Sequence, residues 1–269
     1  MQNDWLLAVG CSLTWGSEIT LPRESLEEDK LLSWPTKLGE LISCKNVINC
    51  GYPGRSNGSI FRTAMEEISK CYETYGSNGL VVIQWTGLHR IEIINPFQFD
   101  IKEFYKKEIG VNHHPGQEGS YLCITPNELS NKHIQELFPG LANYYIYNWA
   151  YAFYQTELLI TYSLAITSFA KSLGVKVFQF NGIDELLANE IPDHAISMSK
   201  LIGKEYFHPY DRNFAFWPSK VHFPRTHKKN DSFVFNKEEL VMVPPHPTAE
   251  QHKQWAEQIY SYITENELI

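Results

Sequence analysis

Ser12 and His246 are the side chains of this sequence whose types and placement could work as a pair. Acyl transfer needs a hydroxyl to attack a carbonyl carbon, a base to take the hydroxyl proton, and preorganised N–H groups where the oxyanion forms. Ser12 follows the apolar run Trp5-Leu6-Leu7-Ala8-Val9-Gly10 by two residues, and His246 follows Leu240-Val241-Met242-Val243 by three. Gly54, Trp85-Thr86 and Asn181 stand in the same relation to other apolar runs, so backbone donors can gather beside the hydroxyl and the imidazole. Metal chemistry has less to build on. His113, His114, His194, His208, His222 and His227 lack carboxylate or Cys partners at ligand spacing, and His252 falls inside a helical segment. No metal and no cofactor is expected.

The elements that must position these groups are written in hydrophobic period and cap residues. Residues 5–10 read as a buried parallel strand. A polar loop over 15–32 follows, and Ser33-Trp34-Pro35 then opens a helix with Ser as cap, Pro in the first turn and Leu38, Leu41 and Ile42 as its buried stripe. Residues 46–51 are a second strand; the helix behind it starts near Ser56 or Asn57 and buries Ile60, Ala64, Ile68 and Cys71. Residues 80–85 are a third strand. Residues 87–143 show no sustained period and read as an insertion over one end of the sheet. A long helix over 144–173 ends at Gly174, 175–181 is a fourth strand, 183–237 is a second irregular region, and 240–243 is a short fifth strand. Thr248 and Gln251 form a capping box for a last helix with Trp255, Ile259 and Ile263 facing inward. The expected fold is one α/β domain over 1–269, a three-layer α/β/α sandwich around a flavodoxin-like, mostly parallel sheet of about five strands.

Composition narrows the function further. Hydrophobic residues at 43% and charged residues at 20% belong to a folded globular chain. The formal net charge of −8, with no Lys/Arg run longer than the pair in His227-Lys228-Lys229, argues against nucleic acid as a partner. The longest apolar stretch, 158–170, carries Thr161, Tyr162, Ser163, Thr167 and Ser168 and is too short to span a membrane, and the N-terminus has no signal-peptide pattern. Cys11, Cys44, Cys50, Cys71 and Cys123 are odd in number and lack C-x-x-C spacing, so neither a disulfide framework nor a zinc ribbon is expected and a cytoplasmic location fits.

The residues around Ser12 carry a family likeness. Gly10-Cys11-Ser12-Leu13-Thr14 resembles the Gly-Asp-Ser-Leu block of SGNH (GDSL-type) hydrolases, and Ser33-Trp34-Pro35-x-x-Leu38 resembles the helix behind it. Asn49-Cys50-Gly51-Tyr52-Pro53-Gly54-Arg55-Ser56 is similar to the second block and Pro245-His246-Pro247-Thr248 to the last, so that the likeness covers 1–90 and 240–269. It implies Ser12 as nucleophile, His246 as base, and the N–H groups of Ser12 and Gly54 as oxyanion donors. The chain departs from the pattern twice. Trp85-Thr86-Gly87-Leu88 stands where the family has Gly-x-Asn-Asp, leaving the shorter Thr86 hydroxyl as a third donor, and Val243-Pro244 stands where the family has the Asp that orients its histidine. Asp184 or Glu185 is then a more distant candidate for that role. The segment 53–57 with Trp85-Thr86 also resembles phage-encoded members, which implies a virion or tail context.

A second serine competes. Gly54-Arg55-Ser56-Asn57-Gly58 satisfies the G-x-S-x-G pattern of the α/β-hydrolase elbow, but Ser56 lies five residues past Gly51 with Pro53 between and stands where a helix cap is expected. Aromatic residues, 14% of the chain, suggest what the site would take. Seven of the eleven positions 144–154 are aromatic, more than one helix stripe can bury, and most are assigned to the core. Trp15, Trp85 and Trp217, together with Asn57 and Arg90, are expected to line the substrate side, with Arg90 either touching substrate or pairing with Glu92. Rings there suit the faces of a sugar, so the expected reaction is hydrolysis of a carboxylic ester, an O-acetyl group on a carbohydrate. A glycan-binding module without turnover is the alternative from another class.

Overall fold

The computed structural model describes residues 3–17, 19, 26–88, 90–94, 121–124, 151–182 and 247–269, with isolated positions 136, 139, 140, 197, 201 and 203. Four strands, β1 (Trp5–Gly10), β2 (Asn46–Gly51), β3 (Gly79–Trp85) and a later strand over Lys176–Asn181, form an all-parallel sheet. The chain steps from β1 to β2 on one side, then crosses back over β1 to lay β3 on the other, with Lys176–Asn181 beyond it. The direction of winding therefore reverses at β1 and β3. Such a reversal at the carboxyl ends of the strands is the usual place for a ligand in sheets of this kind.

The burial of each strand follows from its position. β1 and β3 are central and buried at every residue, which is why they are apolar almost throughout, whereas β2 is an edge strand and leaves Val47 exposed. Helix α1 (Ser12–Trp15) is a single turn, followed by α2 (Leu26–Leu32), α3 (Trp34–Leu41) and α4 (Asn57–Tyr75). Two strands, β4 (Ile91–Ile94) and β5 (Tyr121–Ile124), pair antiparallel. Then come α5 (Tyr151–Ser172), β6 (the strand Lys176–Asn181 of the sheet) and α6 (Ala249–Glu265). Alternate strand residues feed two cores. Trp5, Leu7, Val9, Val81, Ile83 and Trp85 pack with α4 and α5; Leu6, Ala8, Leu80, Val82, Phe178 and Phe180 pack with α3 and α6.

Several expectations need correction. The loop over 15–32 contains α2, whose Leu-Glu-Glu-Asp-Lys-Leu-Leu sequence is helical with no strong apolar period to announce it. Leu41 is exposed, and the α3 stripe consists of Trp34, Leu38 and Ile42. The region 87–143 is not wholly irregular, since it contributes both β4 and β5. The long helix is described from Tyr151, where Tyr154 is exposed. Residues 144–150, the fifth strand at 240–243 and nearly all of 183–237 lie outside the described residues. Among the described residues no helix is long and apolar enough to cross a membrane.

Candidate active site

Ser12 opens α1 directly behind β1. Thr14 N–H and Trp15 N–H both donate to Cys11 O at 3.0 Å, and Gly16 N–H and Ser17 N–H both donate to Ser12 O at 3.0 Å. The turn thus closes on itself and leaves the N–H groups of Ser12 and Leu13, the first two of the helix, without an acceptor inside it. Ser12 is 5% exposed. Neighbouring strands hold the turn in place. Gly51 stands opposite Gly10 in the β1–β2 register, and a side chain on Gly51 would overlap Trp15 N and the Thr14 carbonyl carbon. Asn49 of β2 donates from Nδ2 to Thr14 O at 2.9 Å and to Ser33 Oγ at 3.2 Å, and its Oδ1 accepts from Gly51 N–H at 2.9 Å. One amide therefore joins the serine turn to the start of α3. Ser33 stands at the cap position of α3, but its hydroxyl donates backward to Lys30 O at 2.6 Å rather than capping.

The second and third strands bring their own groups to this edge. Tyr52 N–H donates to Gly10 O at 3.0 Å, continuing the β1–β2 pairing into the turn that carries Gly54. Gly54 has φ +76°, a left-handed conformation that a side chain would strain, and the turn closes from Arg55 N–H to Tyr52 O at 3.4 Å. The β1–β3 register pairs Val9 with Ile83 close to the carboxyl ends of both strands. Asn57 and Thr86 form a closed pair. Thr86 N–H donates to Asn57 Oδ1 at 2.8 Å, and Asn57 Nδ2 donates to Thr86 O at 3.1 Å, both residues being buried. Asn57, expected to contact substrate, instead splices the first turn of α4 to the end of β3. The Thr86 hydroxyl is buried and has no hydrogen-bond partner among the described residues. Ser56 caps α4: its Oγ accepts from Ser59 N–H at 3.1 Å.

The remaining expectations divide. Trp85 cannot face a ligand as its ring stands, because it is 0% exposed in the α4/α5 core with its indole N–H donated to Gln179 Oε1 at 3.2 Å. Gln179 in turn donates to Ser163 O and Thr167 Oγ1 on α5. Strand alternation is the reason: Trp85 shares its face with Ile83 and Val81. Trp15 is half-buried at the edge, its ring set edge-on to Tyr52 at 5.6 Å and Lys30 Nζ 4.1 Å from its centre. Glu92 pairs with Arg62 of α4 through both carboxylate oxygens, at 2.9 and 3.1 Å, and not with Arg90. Arg90 donates from Nη1 to Arg55 O at 3.3 Å, beside Gly54. His246, Trp217, Asp184 and Glu185 lie outside the described residues. The chain is described again from Pro247, which is buried, and Thr248 caps α6 in a full capping box with Gln251. His252 of α6 accepts Trp34 N–H on Nδ1 at 3.1 Å, which sets the first turn of α6 against the first turn of α3.

Ser12, Gly54 and Thr86 thus stand on three adjacent strand ends, with Asn49 and Asn57 as unanticipated splices between them. The signal for Asn49 was a polar residue within the run Val47-Ile48-Asn49-Cys50; for Asn57 it was an amide at the first position of a helix, which many solvated amides share. Among the described residues no group of His, Cys, Asp and Glu could hold a metal ion. Compared with protein-family models, curated proteins and solved structures, the chain matches none.

Proposed function

We propose that the chain is a serine esterase acting on a carboxylic ester, with Ser12 as nucleophile and His246 as base. The observation that carries this reading is a buried serine on a one-turn helix directly behind β1, where the winding of the sheet reverses, with the Thr86 hydroxyl at the end of neighbouring β3 buried and unpartnered among the described residues. In the first step His246 takes the Ser12 proton as Oγ attacks the carbonyl. The oxyanion is met by the N–H groups of Ser12 and Gly54 and by the Thr86 hydroxyl, whose own N–H is already taken by Asn57. The tetrahedral centre collapses, the alcohol leaves with the proton from His246, and water then releases the acid by the reverse sequence. The first turn of α6, which follows His246 closely in sequence, meets the first turn of α3. The half-buried Trp15 and Tyr52 rings suit a sugar face, which favours an O-acetylated carbohydrate. The finer architecture, a three-layer sandwich with a fifth strand and a large insertion, and a cytoplasmic or virion setting belong to the same proposal.

A fluorophosphonate probe with the adduct mapped by mass spectrometry tests the reading. A Ser12 adduct that disappears in His246→Ala is expected. An adduct on Ser56 would transfer the role to the elbow motif. No adduct on any serine, with glycan binding that survives Ser12→Ala, would overturn catalysis in favour of a binding module.

A further inference from the structure

Gln84 is a fully buried amide at the penultimate position of a central, otherwise apolar strand. An amide taken from water into such a place costs free energy unless its polar atoms are bonded. Both ends of this one reach the serine turn: Oε1 accepts the Thr14 hydroxyl, and Nε2 contacts Cys11 Sγ at 3.5 Å. Cys11 and Thr14 bracket Ser12 and Leu13 in sequence. The space for the amide is cut by two missing side chains. A Cβ on Gly10 would overlap Thr14 Oγ1 and crowd Gln84 Cβ, and a Cβ on Gly182 would overlap Gln84 Nε2. Gly182 is itself held by its N–H on Trp85 O at 2.8 Å. The side chain of Gln84 therefore lies in a slot between the ends of β1 and β6, bonded to the residue before the candidate nucleophile and to the residue two after it. Asn49 holds the same turn from the opposite strand through Thr14 O.

We infer that Gln84 is a positioning residue for Ser12, acting through Thr14 and Cys11 to fix the orientation of the one-turn helix; this rests on the esterase reading above. A buried polar clamp of this kind removes rotational freedom that the attacking hydroxyl would otherwise lose in the transition state, and a misplacement of about 1 Å can lower a rate by about a hundredfold. Substrate binding, which does not pass through Thr14, is left unchanged.

The test compares wild type with Gln84→Met, Thr14→Val and Thr14→Ser, reading the fluorophosphonate labelling rate at Ser12, kcat and KM on p-nitrophenyl acetate, and the urea midpoint of each protein. Gln84→Met and Thr14→Val are expected to lower labelling and kcat by about ten- to a hundredfold with KM unchanged. Thr14→Ser, which keeps the hydroxyl, is expected to recover most of the rate. Lower urea midpoints with labelling of the folded protein at the wild-type rate would reduce Gln84 to a packing residue and overturn the inference alone. Absence of any Ser12 adduct in wild type would overturn the esterase reading and this inference together.

Discussion

Asn57 engages both ends of its amide with the main chain of Thr86, so its removal strands a buried N–H and a buried carbonyl at the end of β3. Each unsatisfied group costs about 1–3 kcal/mol. Asn57→Ala is therefore expected to lower the urea midpoint clearly, and a variant with an unchanged midpoint but weaker ligand binding would return Asn57 to the substrate surface. The same logic separates Ser56, Ser33 and Thr86, three of the hydroxyl-bearing residues at this edge. Ser56 gives its oxygen to a helix N–H and Ser33 its proton to a carbonyl, whereas the Thr86 hydroxyl has neither use among the described residues.

At the scale of elements, the caps make separable predictions. Ser56→Ala removes the α4 cap and Thr248→Ala removes the oxygen of the α6 capping box, each expected to cost about 1 kcal/mol in urea denaturation. Ser56→Ala should leave Ser12 labelling at the wild-type rate; loss of labelling would instead support the elbow motif. The strands were legible because a buried parallel strand is a short apolar run bounded by turn residues, and β1 and β2 run over the residues expected. The capping box at Thr248 and Gln251 was equally plain, since its whole grammar fits within four residues. Helix α2 was not, because its apolar residues Leu26, Leu31 and Leu32 do not repeat at helical spacing. The β4–β5 pair was hidden for another reason: its two strands of four residues are separated by the 26 residues 95–120, and a short strand signal means little before its partner is known.

For the whole molecule, the α4/α5 core leaves a signature at alkaline pH. Burial, with the Glu67 carboxylate as a further cause, pushes the thiols of Cys50 in β2 and Cys71 in α4 up to about 11. In the unfolded chain these thiols ionise near their ordinary value of about 9. Between about pH 9 and about pH 11 the native state therefore binds more protons than the unfolded state, and stability falls as pH rises through that window. Urea midpoints measured from pH 8 to 11 are expected to fall more steeply for wild type than for the Cys50→Ala, Cys71→Ala double variant; parallel slopes would show that the thiols do not contribute. Local sequence sufficed for the α/β class, the positions of the four parallel strands and the caps of α4 and α6, because each is set by hydrophobic period or by hydrogen bonds reaching three or four residues. Only the tertiary structure decided which strand ends lie side by side, that Trp85 turns into the α4/α5 core while Gln84 turns under the serine turn, and that Asn57 answers Thr86 across 29 residues and Gln84 answers Thr14 across 70. The crossover order brings those partners together, and the absence of side chains at Gly10, Gly51 and Gly182 lets them approach, neither of which a local window of sequence contains.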